Sequence, residues 1–285
     1  MTVEQMRSCA EEVLVYFMQT MPDMPFAKED IIIEFATRKD MVNYINMLCE
    51  KHFPEKIISE NQAHQLSTVI EANALMGREK SAVVVCINHK LSEQELRSIM
   101  FHELMHIYCV KTEIDGEHFI DIYGTGHTKE KYREDKLYDG YLNSGYQVWT
   151  EFIAQYYALT KTEEEPFSFF FASDYIIGNL SEVHSKIKDD VEVLFAMACA
   201  YLLACTDFDD MRIAMREPNF IFSDDAPCGK ETRETLVDCV ELLCKQLQKE
   251  KPWKINEEFI STVGAKFFMF KMYHSLYSGN SQFNM

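Results

Sequence analysis

The stretch SAVVVCINHKLSEQELRSIMFHELMHIY, residues 81–108, decides the fold because it joins a strand signal directly to a helix signal. Residues 81–88 are mostly apolar and rich in β-branched side chains, a pattern typical of a strand. Ser92 stands three residues before Glu95, which is the spacing of a capping box. The stretch therefore predicts a strand that is followed by a helix beginning at about residue 93.

Two histidines stand four positions apart within this predicted helix. Four residues leave an angular offset of about 40°, so the imidazoles of His102 and His106 can reach one metal ion. Glu103 is rotated by about 100° from His102 and can act on a water molecule at that ion. The pattern predicts a zinc site with Glu103 as general base and general acid. The alternative is a helix that contains this HExxH string by accident.

Catalytic zinc needs a third protein ligand. In the HExxHxxGxxH pattern this ligand would be a histidine at position 112, but Thr112 stands there. A glutamate from a later helix is the other common solution, and Glu151 lies in SGYQVWTEFIAQYYAL, residues 144–159. Ser144 and Gln147 predict a second capping box at the start of that helix. The apolar neighbours of Glu151 make its ionised carboxylate costly unless a cation pairs with it.

The sequence leaves other assignments for the third ligand open. Glu151 could face solvent on an amphipathic helix, in which case it would not bind metal. Three more candidate ligands lie in the segment before it: His118, Asp121 and His127.

The remainder of the chain predicts an α+β fold with a helical C-terminal part. Residues 111–146 carry five of the ten glycines and show weak periodicity, which predicts a long loop or irregular insertion. Periodicity elsewhere predicts helices over 3–20, 38–53, 189–205, 230–250 and 256–277 and a strand over 31–37, with 64–72 ambiguous. We therefore expect an α+β domain over residues 1–160 and a helical domain over residues 161–285.

Charge and cysteine usage limit the classes of partner and compartment. The formal net charge is −18, so the field of the protein repels phosphate backbones and anionic membranes, and neither nucleic acid nor a membrane is expected as a partner. The nine cysteines include no CxxC pair, which predicts reduced thiols. No signal peptide is apparent, and the longest apolar segment, residues 193–205, is too short to cross a bilayer. These features predict a cytoplasmic protein.

The run AVVVCINHKLSEQELRSIMFHELMHIY, residues 82–108, is similar to the ImmA/IrrE-like cytoplasmic metallopeptidases, in which a strand ending in Ile-Asn leads into the motif helix. With the later glutamate, the chain resembles the zincin metallopeptidases of the glutamate-ligand type, the gluzincins. The resemblance implies a small zincin-like sheet and a zinc-dependent peptidase acting on a protein or peptide. It also implies that His102, His106 and Glu151 bind Zn²⁺ and that Glu103 is the catalytic carboxylate.

The same resemblance implies that the strand Ala82–Ile87 lies at the sheet edge and binds the substrate as an added strand. An ordinary core strand is the alternative. A peptidase also needs a donor that stabilises the oxyanion, and Tyr123, His127, Tyr156 and Tyr157 are candidates. Two other functions stay open: a catalytically inactive zincin-fold protein that binds metal or regulates, and a helical interaction protein.

Overall fold

The computed structural model describes residues 1–53, 58, 63–64, 66–67, 70–77, 79–112, 136–162, 191–205 and 230–277. These residues show a mixed α+β architecture that consists mostly of helices, with one small sheet. The strands are β1 (Ile31–Ala36), β2 (Ala72–Met76) and β3 (Ser81–Cys86). The helices are α1 (Val3–Thr20), α2 (Met41–His52), α3 (Glu93–Thr112), α4 (Lys136–Lys161), α5 (Val191–Cys205), α6 (Lys230–Leu247) and α7 (Glu257–Tyr277). A short 3₁₀ helix, Lys28–Asp30, precedes β1.

The sheet has the strand order β1-β3-β2, with β1 parallel and β2 antiparallel to β3. All six residues of β3 are buried, as expected for a strand that has neighbours on both sides and helices on both faces. One face carries Ala82, Val84 and Cys86 and packs against α2. Alternation along the strand turns Val83 and Val85 to the opposite face, where α1 and α3 pack.

The prediction that Ala82–Ile87 lies at the sheet edge is wrong for the described strands. Residues 72–76 form β2, which the sequence did not predict as a strand, and β2 pairs with the side of β3 that would otherwise be open. The Cys86 amide donates to the Glu71 carbonyl, and the Gly77 amide donates to the Lys80 carbonyl. Since every second residue of an antiparallel strand bonds to its partner strand, the backbone groups of Ala72, Ala74 and Met76 turn away from β3.

The predicted loop over residues 111–146 is wrong at both of its ends. Residues 111–112 belong to α3, and α4 already begins at Lys136. Ser144 therefore lies inside α4 rather than at its N-terminus, so the predicted capping box with Gln147 is also wrong. Instead, the Ser144 hydroxyl donates a hydrogen bond to the Glu192 carboxylate of α5 at 2.9 Å.

The described residues form two compact units. The first contains residues up to Thr112 together with 157–162 and holds the sheet, α1, α2 and α3. The second contains residues 136–156, 191–205 and 230–277, and its described secondary-structure elements are helices joined by turns. The predicted domain division after residue 160 stays a prediction.

The helical unit is held together by aromatic packing. The Phe195 ring of α5 lies 5.2 Å from the Phe267 ring and 4.8 Å from the Phe270 ring of α7, measured between centroids. α6 packs along α7. Among the described residues, no helix has the length and apolar character needed to cross a membrane. None of the seven cysteines whose side chains are described takes part in a disulfide.

Candidate metal centre

The predicted capping box at the start of α3 is confirmed. The Ser92 backbone amide donates to the Glu95 carboxylate at 2.7 Å, and the Glu95 amide donates to the Ser92 hydroxyl at 3.1 Å. The hydrogen bond from the Ser92 backbone amide, and after it one from the Ser92 side chain, hold the pKa of Glu95 below its usual value. The box starts the helix at Glu93, so His102 and His106 both lie inside regular helix.

Contacts with α1 and the loop that follows it hold α3 in place on either side of the histidines. The Phe101 ring packs 4.8 Å from the Phe17 ring. The Tyr108 hydroxyl donates a hydrogen bond to the Pro22 carbonyl at 2.6 Å, and burial raises the pKa of Tyr108. Nearer the N-terminus of α3, Arg97 forms an ion pair at 2.9 Å with Glu12 of α1. The motif helix is therefore attached at several points along its length.

The two histidines of α3 converge through equivalent ring nitrogens. Nε2 of His106 lies 3.0 Å from Nε2 of His102, and the ring centroids are 4.7 Å apart with an interplanar angle of 76°. Two imidazole nitrogens that share one tetrahedral zinc ion lie about 3.3 Å apart. The histidine pair is therefore close to the spacing that joint coordination requires.

Glu151 of α4 lies beside this pair. One candidate ligand atom from each of His102, His106 and Glu151 lies within 4.8 Å of the other two, and none of the three residues is exposed. Two imidazoles and one carboxylate form the donor set of many catalytic zinc sites, and this set fits a single zinc ion. The structure thus brings together the three ligands that the sequence suggested, and metal binding itself stays a prediction.

The structure describes only some of the other residues that the sequence suggested for catalysis or metal binding. Glu103 follows His102 on α3 and is partly buried. The other candidate ligands and two of the oxyanion candidates lie outside the described residues: His118, Asp121, Tyr123 and His127. The Tyr156 ring stacks on Phe152 at 6.1 Å between centroids, and burial raises the pKa of Tyr156. Tyr157 is partly buried, and the oxyanion donor stays a prediction.

Two residues that matter for α4 do not stand out in the sequence as functional. Gly145 and Gly264 lie where α4 and α7 cross, and each contacts the backbone of the other helix. An isolated glycine inside a helical pattern was the available signal, because such glycines commonly mark close packing.

Comparisons of this chain with protein-family models, with curated proteins and with solved structures found no match.

Proposed function

We propose that the protein is a zinc-dependent metallopeptidase of the gluzincin type that hydrolyses peptide bonds in a protein or peptide substrate. The observation that supports this most is the convergence of His102, His106 and Glu151 ligand atoms within 4.8 Å. The histidine pair and Glu151 are far apart in the chain and lie on different helices, yet their ligand atoms together form a donor set that suits catalytic zinc. We further propose the cytoplasm as the compartment, since six of the described cysteines are buried as free thiols, which suits a reducing environment.

The three ligands differ in charge, and this difference suits hydrolysis. His102 and His106 bind a metal as neutral imidazoles, while Glu151 contributes one negative charge, so the set only partly neutralises a divalent cation. Three protein ligands also leave one position of a tetrahedral site for water or substrate. When bound, zinc would supply a Lewis acid that activates water and polarises the scissile carbonyl.

Glu103 carries the proton in this proposal. Its position directly after His102 rotates it by about 100° around the helix axis, so its carboxylate is available for a role other than coordination. The carboxylate accepts a proton from the attacking water and passes it to the nitrogen of the leaving amine. The carboxylate is regenerated when the amine leaves, so Glu103 serves in both steps.

We place the substrate along β2 rather than along β3. β2 lies at an edge of the described three-stranded sheet, and α3, the motif helix, packs more extensively against β2 than against β3. The backbone groups of Ala72, Ala74 and Met76 turn away from β3 and are oriented to pair with an extended peptide. This arrangement supports an extended peptide bound near the helix that carries Glu103.

The test is metal content and peptide cleavage measured on the same preparations. Wild-type protein should contain close to one zinc per chain, and His102→Ala should lose it. Glu103→Gln should retain zinc while cleavage of a quenched fluorescent peptide library falls by about 10²-fold or more. Glu93→Gln makes the same chemical change on the same helix at an exposed position and should leave both quantities unchanged.

Two results would contradict the proposal in different ways. Stoichiometric zinc in His102→Ala would show that the histidine pair does not bind the metal. Zinc in both wild type and Glu103→Gln, with cleavage by neither across the library, would favour the alternative of a metal-binding regulatory protein.

A further inference from the structure

The helices α4 and α7 touch backbone to backbone at two glycines. A Cβ atom at Gly145 would overlap the carbonyl oxygen of Ile260, and one at Gly264 would overlap the carbonyl oxygen of Tyr141. Real Cβ atoms essentially never come within 3.0 Å of such atoms, so a methyl group at either glycine would push the helices apart by about 1 Å. The crossing therefore depends on the absence of a side chain at both positions.

Aromatic contacts fix α4 against α7 on both sides of this crossing. The Tyr141 ring lies 5.3 Å from the Phe268 ring, and the Trp149 ring lies 5.1 Å from the Phe259 ring, both in edge-to-face geometry. Trp149 is almost completely buried. A shift of α4 at the glycines would therefore disturb Trp149 as well, and Trp149 stands only two residues before Glu151.

Glu151 is close enough to the crossing to follow its displacement. It lies six residues after Gly145, which is about 9 Å along a helix. Metal sites tolerate errors of about 0.2 Å in ligand distance, and functional groups in general tolerate about 0.5 Å. A shift of about 1 Å at the crossing exceeds both tolerances.

We propose that Gly145 and Gly264 are positioning residues for the metal centre: their crossing sets where α4 presents the Glu151 carboxylate. This inference rests on the proposed function, because it takes Glu151 as a zinc ligand. The atoms nearest to a Cβ at Gly264 belong to Tyr141 of α4, so Gly264 acts through α4. Its effect is therefore distinct from that of a ligand and from that of a residue that only stabilises the helical unit.

The experiment compares Gly145→Ala, Gly264→Ala and Glu151→Ala with the full-length wild-type protein. Zinc Kd is measured by competition with a chromophoric chelator, and the visible absorption of the Co²⁺ form reports the ligand set. Both glycine variants should bind zinc about 10- to 100-fold more weakly, and their Co²⁺ spectra should shift in the same direction as that of Glu151→Ala. Circular dichroism selects preparations that are folded.

Gly140→Ala is the matched control on α4. A Cβ there would meet only the tip of the Phe268 ring at 3.4 Å, an ordinary van der Waals contact. Alanine also favours helix over glycine by about 1 kcal/mol. The control should be at least as stable as wild type, with unchanged zinc Kd and Co²⁺ spectrum.

Two patterns of failure are distinguishable. Zinc affinity unaffected by Glu151→Ala would overturn the proposed ligand set and this inference with it. Weakened binding in Glu151→Ala, together with wild-type affinity and spectrum in folded Gly145→Ala and Gly264→Ala, would overturn this inference alone.

If the glycine variants do not fold, amide hydrogen exchange of the wild-type protein tests the inference instead. Coupling between the crossing and the metal is reciprocal, so zinc should slow amide hydrogen exchange in α7 around Gly264 as well as in α4 around Glu151. Slowed exchange in α3 and α4, with no change in α7 between residues 257 and 268, would overturn the inference.

Discussion

Removal of the Ser92 side chain should destabilise α3 in a way that depends on pH. Ser92→Ala deletes the hydroxyl that accepts from the Glu95 amide at 3.1 Å, and loss of such a cap costs about 1 kcal/mol. The chain contains a second box of the same geometry at the start of α1, where Thr2 and Gln5 exchange hydrogen bonds at 2.7 Å and 3.2 Å. Thr2→Ala should therefore cost a similar amount at neutral pH.

The two boxes differ in charge, because Glu95 titrates and Gln5 does not. Hydrogen bonds from the Ser92 backbone amide and, second in size, from the Ser92 side chain lower the pKa of Glu95 in the folded protein. Ser92→Ala removes only the side-chain bond. The contribution of Glu95 to stability is thus fully present above the unfolded pKa of about 4.3 and is lost as the pH falls through the folded value. The cost of Ser92→Ala should shrink between pH 7 and about pH 3, whereas that of Thr2→Ala should not change.

The assay is urea denaturation of wild type, Ser92→Ala, Thr2→Ala and Ser92→Ala/Glu95→Gln at both pH values. The double variant should show the reduced pH dependence of the Thr2 box, since no carboxylate remains in it. Equal pH dependence for Ser92→Ala and Thr2→Ala would refute the reasoning. Zinc content should be unchanged in all variants, because the first turn of α3 lies well before His102.

Two further predictions concern the stability of the motif helix and of the metal-bound protein. Tyr108→Phe removes the hydrogen bond from the Tyr108 hydroxyl to the Pro22 carbonyl and should lower the free energy of unfolding by about 1 kcal/mol in urea titrations, with zinc stoichiometry unchanged. Zinc at 100 times its Kd should raise the free energy of unfolding by about 2.7 kcal/mol, measured as a higher melting temperature that a chelator reverses. His106→Ala should show no such shift, and a chelator-sensitive shift in that variant would contradict the ligand assignment.

Local sequence was sufficient for the motif helix and the strand before it. A capping box depends on residues three positions apart, and the His102–His106 spacing on a helix depends on residues four apart, so both follow from short-range geometry. The apolar run of β3 likewise identifies a buried strand by itself. The helices over residues 3–20, 189–205, 230–250 and 256–277 were also confirmed to within a few residues from periodicity.

The position of β3 and the start of α4 depended on tertiary contacts. ANALM, residues 72–76, lacks the β-branched residues that mark strands, and it forms β2 because it pairs with β3. Gly145 reads as a loop signal, but α4 continues through it because Gly145 packs against the backbone of α7. In both cases pairing or packing with another element outweighed a local preference of at most about 1 kcal/mol per residue.

The sequence by itself determined that two imidazoles would share one face of a helix, with a carboxylate directly after the first. It left Glu151 as one candidate for the third ligand among several, since no short-range rule connects Glu151 with His106, 45 positions before it. The tertiary structure brought the Glu151 carboxylate within 4.8 Å of the histidine nitrogens. The physical reason is that a side chain on a helix points where that helix is packed, and the packing of α4 depends on contacts with α5 and α7 that lie far along the chain.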